Sequence, residues 1–389
     1  MSVHSNIWKL YVIKALRWFL LIMPIVIIFY LENGLSLFEI MLIQATYSAT
    51  VALMEIPSGF LADIFGRRKS LIIGAILSFL GFLVISLSFG FWEFITAQLI
   101  LGIGQSYISG SDSALLYDSL VESKQTDKYT KIEGRTYGIG NFSESIAGIL
   151  GGLLAGVSLR YPWYAQVVVA AAIIPVSFSL VEPNVTEEKL KRSFQSIIDV
   201  VKYSLLENKW LKWLLLLSSF IGIATLSGAW FAQPYFKSID IPLKWFGFVW
   251  AFLNLSAGFS SMNTYRLQDK LSSNSLVFIL SAGITLSYLF LSFSNAYFGM
   301  FFLFSIFVFR GLATPTINNL INKGTTSEKR ATVLSIKSFF MRMGFAITAP
   351  IMGWIADNYS LDISFLVLAL TIGSCCLFAS YSLMKLSKN

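Results

Sequence analysis

Seven ionisable residues stand inside long apolar runs of this chain: Arg17, Glu55, Asp112, Glu144, Arg310, Lys337 and Arg342. A charge facing hydrocarbon costs at least ~2.5–3.5 kcal/mol at mid-membrane, so such residues must face protein or a wet cavity. Two kinds of chemistry suit them. Desolvation disfavours a charged carboxylate, so a buried acid can load and release protons near neutral pH. Glu144, Asp112 and Glu55 are the candidates for that work. Guanidinium groups hold carboxylates in a bidentate fork. Arg310, Arg342 and Arg17, with Asn141 and Asn318 as neutral partners, are the candidates for binding substrate. The competing reading makes each acid the permanent partner of a base, Glu55 with Arg17 for example. The deep acids fall in the first half of the chain, and the deep arginines mostly in the second. This suits charge pairing across a central cavity, or a site that takes both a cation and an anion.

The elements that carry these residues follow from composition. Of 389 residues, 56% are apolar and only 13% are charged, about half the charge of a soluble domain. Twelve apolar segments recur, at 11–30, 38–62, 70–90, 93–117, 134–157, 161–181, 210–232, 244–264, 274–293, 296–321, 331–356 and 362–383. Each is long enough to cross ~30 Å of hydrocarbon as a helix, and lipid leaves helix as the only suitable state. The expected fold is an all-α membrane protein of 12 transmembrane helices in two six-helix bundles. The longest polar stretch, Glu182 to Lys209, divides them six and six. The expected domains are therefore 1–182, a linker at 183–209, and 210–389. Phe194, Ile197, Ile198 and Val201 have the spacing of an amphipathic helix lying on the membrane surface.

Basic residues orient the chain. Arg67, Arg68, Lys69, Lys124, Lys128, Lys131, Lys189, Lys191 and Arg192 fall on one side, whereas the other side holds Arg160, Lys237 and Lys244. The positive-inside rule then puts both termini in the cytoplasm. The net charge of +8 is spread over short loops and forms no nucleic-acid stripe. Cys375 and Cys376 are adjacent in one apolar segment, which excludes a disulfide framework and disfavours metal binding. The single histidine, His4, argues against His-ligated redox chemistry. No cofactor is expected, no nucleotide loop or nucleophile constellation marks an enzyme, and no cleavable signal peptide is apparent.

Residues 59–69 read Gly-Phe-Leu-Ala-Asp-Ile-Phe-Gly-Arg-Arg-Lys, a compact hairpin between the second and third segments. The pattern Gly-x-Leu-Ala-Asp-x-x-Gly-Arg-Arg-Lys resembles the loop motif of the major facilitator superfamily of secondary transporters. That resemblance implies a conformational latch built on Gly59, Asp63, Gly66 and Arg67. Asp63 and Arg67 would pair with each other, or with Asp118. The third, sixth, ninth and twelfth segments carry no interior charge, and in the superfamily these helices lie outermost. Gly140, Glu144, Gly148, Gly152 and Gly156 make a small-residue face on the fifth segment. The run Gly148-Ile-Leu-Gly151-Gly152 resembles the glycine-rich fifth helix of the superfamily's exporters, although no proline precedes it. Gln98 stands where family members more often have arginine.

The resulting expectation is a secondary active transporter in a bacterial inner membrane, monomeric, moving a small organic solute by alternating access with proton-coupled efflux. A proton symporter importing an organic anion, suggested by Arg310 and Arg342, and an uncoupled lipid or solute flippase are the alternatives.

Overall fold

The computed structural model describes residues 3–183, 199–294 and 297–386, and these contain helices and no strand. In the first part run α1 (Asn6–Trp18), α2 (Val26–Glu32), α3 (Leu37–Phe65), α4 (Arg67–Leu87), α5 (Phe91–Ile108), α6 (Ser111–Glu122), α7 (Tyr129–Ala155) and α8 (Tyr161–Phe178). The second part contains α9 (Lys209–Ser238), α10 (Leu243–Met262), α11 (Thr264–Lys270), α12 (Ser273–Leu291) and α13 (Gly299–Gly324). It closes with α14 (Ser327–Asn358), α15 (Leu361–Leu368) and α16 (Ser374–Leu386). Eight helices among the described residues are long and apolar enough to cross a membrane, α15 to α16 counting as one through the π-helical turn Ala369–Gly373. Phe194, Ile197 and Ile198 of the expected surface helix lie outside the described residues.

Two expected spans are broken, each for a local reason. Between α1 and α2, Pro24 withholds a backbone donor and disfavours helix at Met23. The freed Leu21 N–H donates instead to Gln166 Oε1 at 2.9 Å, and Gly151 of α7 sits against the Leu21 carbonyl where a Cβ has no room. Irregular backbone at membrane depth is tolerated when protein satisfies it in this way. Between α5 and α6, Gly110 takes φ +78°, a left-handed conformation that suits glycine. The hairpin at 59–69 is also tighter than expected. Helix continues through Phe65, and Gly66 alone separates α3 from α4, at φ +98°.

The chain divides into two compact units. One comprises Met1–Leu35, Ile43–Lys189 and Pro242–Ala251; the other comprises Ser36–Leu42, Leu190–Ile241 and Phe252–Asn389. In the first, α4 and α5 meet closely: a Cβ on Gly74 would lie 2.9 Å from the Gly104 carbonyl oxygen. Leu71, Ile108, Leu115 and Ile173 belong to the core beside them. Phe29, Tyr30, Phe94 and Trp163 form a buried aromatic cluster. Asn6, fully buried, joins Ser119 to the Val181 backbone.

In the second unit α9 is the most buried helix. Asn208 caps it by accepting from Leu211 N at 2.9 Å, a standard N-terminal device. Tyr288 donates to the Ala224 carbonyl at 2.6 Å, and Phe231, Tyr235 and Tyr288 surround Phe365. The first turn of α3 belongs to this unit. The Asp357 carboxylate accepts the N–H groups of Leu37 at 3.0 Å and Phe38 at 2.7 Å, an anion placed at a helix N-terminus.

Candidate functional site

The break at Gly110 puts Asp112 in the first turn of α6, where its Oδ1 accepts the Ser113 N–H at 2.9 Å. Its Oδ2 faces α1 and pairs with Arg17 Nη1 at 3.0 Å and Lys14 Nζ at 3.5 Å. Lys14 and Arg17 are three residues apart and so share a helix face. Arg17 donates its second amino group to Gln105 Oε1 of α5 at 3.0 Å. The Ser113 hydroxyl donates to Glu133 Oε1 of α7 at 2.8 Å. Lys14, Asp112, Ser113 and Glu133, from three helices, thus line one small niche, completed by Leu10, Ile13, Leu116 and Thr136, with Arg17 paired to Asp112 beside it. The three paired side chains are 14–17% exposed, so the cluster is mostly but not fully enclosed by protein.

Arg17 and Asp112, proposed from sequence for different tasks, are therefore one ion pair. The partners that Arg17 shows are Asp112 and Gln105. Glu55 is half-buried on α3. Glu144 and Asn141 are half-buried on α7, Glu144 lying between two close approaches on the glycine face. A Cβ on Gly140 would lie 2.9 Å from the Trp18 ring, and one on Gly152 would lie 2.8 Å from the Gly247 nitrogen.

At the latch motif, Asp63 pairs with Arg67 one turn away. Of the two partners foreseen for Arg67, the structure supplies Asp63, and Asp118 is buried on α6. Glu182 was not foreseen. Its carboxylate accepts the backbone N–H of both Arg67 and Arg68 at 2.7 Å, closing the N-terminus of α4. Gly66 permits this, since a Cβ there would meet the carboxylate at 2.9 Å. Gly59 has no such constraint, for a Cβ there meets nothing within 4 Å.

In the second unit, Lys337 of α14 donates to Asn318 Oδ1 of α13 at 2.8 Å. Arg310 lies one turn after Phe307, its guanidinium 5.8 Å from the ring centroid. Arg342 is half-buried five residues beyond Lys337. The residues that sequence reasoning missed are Lys14, Gln105, Ser113, Glu133 and Glu182. Lys14 was findable from its spacing to Arg17; Glu133 stands just outside the apolar run of its helix.

A polytopic helical protein in two units, with ionisable side chains gathered at membrane depth, has the build of a membrane transporter. The chain belongs to the Major Facilitator Superfamily, whose sequence profile matches residues 8–336. It is 23% identical to the MFS-type transporter YxaM of Bacillus subtilis (strain 168) over 363 residues, covering 89% of this chain and 88% of that protein. The nitrite extrusion protein of the same organism is 27% identical over 274 residues, 68% of this chain and 64% of that protein. A transporter of Buchnera aphidicola subsp. Schizaphis graminum (strain Sg) is 34% identical over 107 residues, 28% of this chain and 27% of that protein. Among solved structures, a variant of the nucleoside transporter NupG superimposes with a TM-score of 0.82 at 13% identity, covering 99% of each chain. At that identity the likeness establishes the fold alone.

Proposed function

We propose that this chain is a secondary active transporter that exports a small organic solute by alternating access, driven by protons. The observation that carries the reading is the niche in which Asp112 is shared by Arg17 and Lys14 while Ser113 links it to Glu133. A proton arriving on Asp112 would weaken its hold on Arg17 and Lys14 and shift the balance between two conformations that need differ by only a few kcal/mol. Glu144 and Glu55 remain candidates for a second titrating step. The drive is ~2.3 kcal/mol per charge per 100 mV and ~1.4 kcal/mol per pH unit, enough for one proton to sustain a modest solute gradient. Export is supported by the Asp63–Arg67 latch with Glu182, by the close-packed glycine face of α7, and by the likeness to a nitrite extrusion protein.

Everted vesicles loaded acid inside test it with a pH-sensitive dye. The dye signal relaxes when a transported compound is added to wild-type vesicles, and Asp112→Asn together with Glu133→Gln abolishes the relaxation. Accumulation of the compound that a protonophore leaves untouched overturns the coupling.

A further inference from the structure

We infer that the second unit carries a binding site for a small organic anion, built on Arg310 and Lys337 of α13 and α14. This rests on the transporter reading and adds a substrate class to it. Lys337 stands ten residues into α14, about 15 Å from its start, and its hydrogen-bond partner is a neutral amide oxygen, Asn318 Oδ1 at 2.8 Å. Arg310 stands eleven residues into α13 and has the Phe307 ring beside it. Neither Arg310 nor Lys337 is found in an ion pair among the described residues, whereas Arg17, Lys14 and Arg67 are.

The sequence explains the deficit. Helices α9, α10, α12 and α13 contain no Asp or Glu, and α14 has acids only near its ends, Glu328 and Asp357. Two basic groups at membrane depth, neither found in an ion pair, can be balanced by an anion that arrives from outside the protein. The stripe between them fits that task. Arg310, Thr314 and Asn318 recur every four residues on α13, and Thr314 is exposed. Asn318 accepts from Lys337, which leaves its amide N–H groups as donors. Arg310 and the Asn318–Lys337 pair lie about 12 Å apart along the helix. The array offers a planar fork, an amide donor and a point charge, and no free acceptor of negative sign. This is the chemistry for a carboxylate, sulfonate or phosphate-bearing solute.

The test is thermal unfolding of the purified protein in detergent with benzoate, succinate, toluenesulfonate and methyl phosphate, against benzamide, benzyl alcohol and benzylamine at equal ionic strength. At least one anion is expected to raise the melting temperature where its neutral or cationic counterpart does not. The acidic group that acts identifies the headgroup. Arg310→Gln and Lys337→Gln are each expected to weaken the effective anion by about tenfold or more, and Arg310→Lys and Lys337→Arg, which keep the charge, to retain part of the affinity. Stabilisation by benzamide or benzylamine equal to that of the anions overturns the inference. So does the absence of stabilisation by all four anions, or an affinity unchanged in both glutamine variants. Binding in detergent needs no gradient. Anion binding without proton-driven flux refutes only the coupling, and proton-driven flux of neutral compounds that ignores both variants refutes only this site.

Discussion

Replacing Asp112 by asparagine removes the charge that Arg17 and Lys14 share at 3.0 and 3.5 Å while keeping the side chain's size and an oxygen acceptor. At 3.0 Å and an effective dielectric constant near 20, the gross attraction to Arg17 is about 5–6 kcal/mol. Desolvation of the two ions offsets most of it. Breaking a fully buried pair by deleting one partner costs about 3–5 kcal/mol, and an exposed pair is worth ~0–1 kcal/mol. With these side chains 14–17% exposed, the cost of Asp112→Asn should be about 2 kcal/mol, most of it through Arg17 because Lys14 is farther away. Arg17→Gln alone leaves Asp112 with Lys14 and should cost about 1 kcal/mol. The double variant removes both the acid and the base it leaves stranded, so the cycle should show a coupling of roughly 1–1.5 kcal/mol. Denaturant titration of the purified protein in mixed micelles, followed by tryptophan fluorescence, measures all three. If Asp112→Asn lies within about 0.5 kcal/mol of wild type, or the double variant equals the sum of the singles, the cluster is not an energetic unit and its use as a relay has no basis.

Two further changes test how the broken helices are held. Gly151→Ala forces a methyl group into the Leu21 carbonyl and should destabilise by about 1–3 kcal/mol or more, visible as a lower melting temperature; a neutral outcome means α7 does not support the break at residues 19–25. Asp357→Ala removes the acceptor of the Leu37 and Phe38 N–H groups and should cost about 0.5–2 kcal/mol, with faster amide exchange at the start of α3; unchanged protection there removes the cap from the account.

The helices and their order were legible because lipid reduces the choice of backbone to one and apolar length fixes where each helix runs. The breaks were less so, because the apolar runs at 11–30 and 93–117 continue straight through them. Pro24 and Gly110 were the available marks, and each is a single residue inside a hydrophobic stretch. The charged cluster was half legible. Depth in an apolar run identified Asp112 and Arg17 as unusual, but pairing depends on which faces meet, and periodicity within one helix does not report that. Glu133 was hidden by its place at a helix entrance, where acids are common, and Glu182 by its place in a polar linker. The proline-free glycine run on α7 was legible as a packing face, and Gly151, outside the four-residue stripe, makes its tightest approach.

The two units distribute charge differently, and the difference bears on what each can do. In the first, both cations at the niche have Asp112 within reach, so the bases there are already partnered. In the second, Arg310 lies beside the Phe307 ring and Lys337 beside a neutral amide, so on the inference drawn above the balancing charge is brought by a visiting molecule. A carrier that couples protons to an anion needs both behaviours, because a site that neutralises itself holds no anion and a site without an acid loads no proton. Were the acids and bases mixed evenly in each unit, the same total charge would support neither. If the proposed relay at Asp112 and the inferred anion site at Lys337 are separate, variants of the first cluster should alter proton dependence while variants of the second alter affinity.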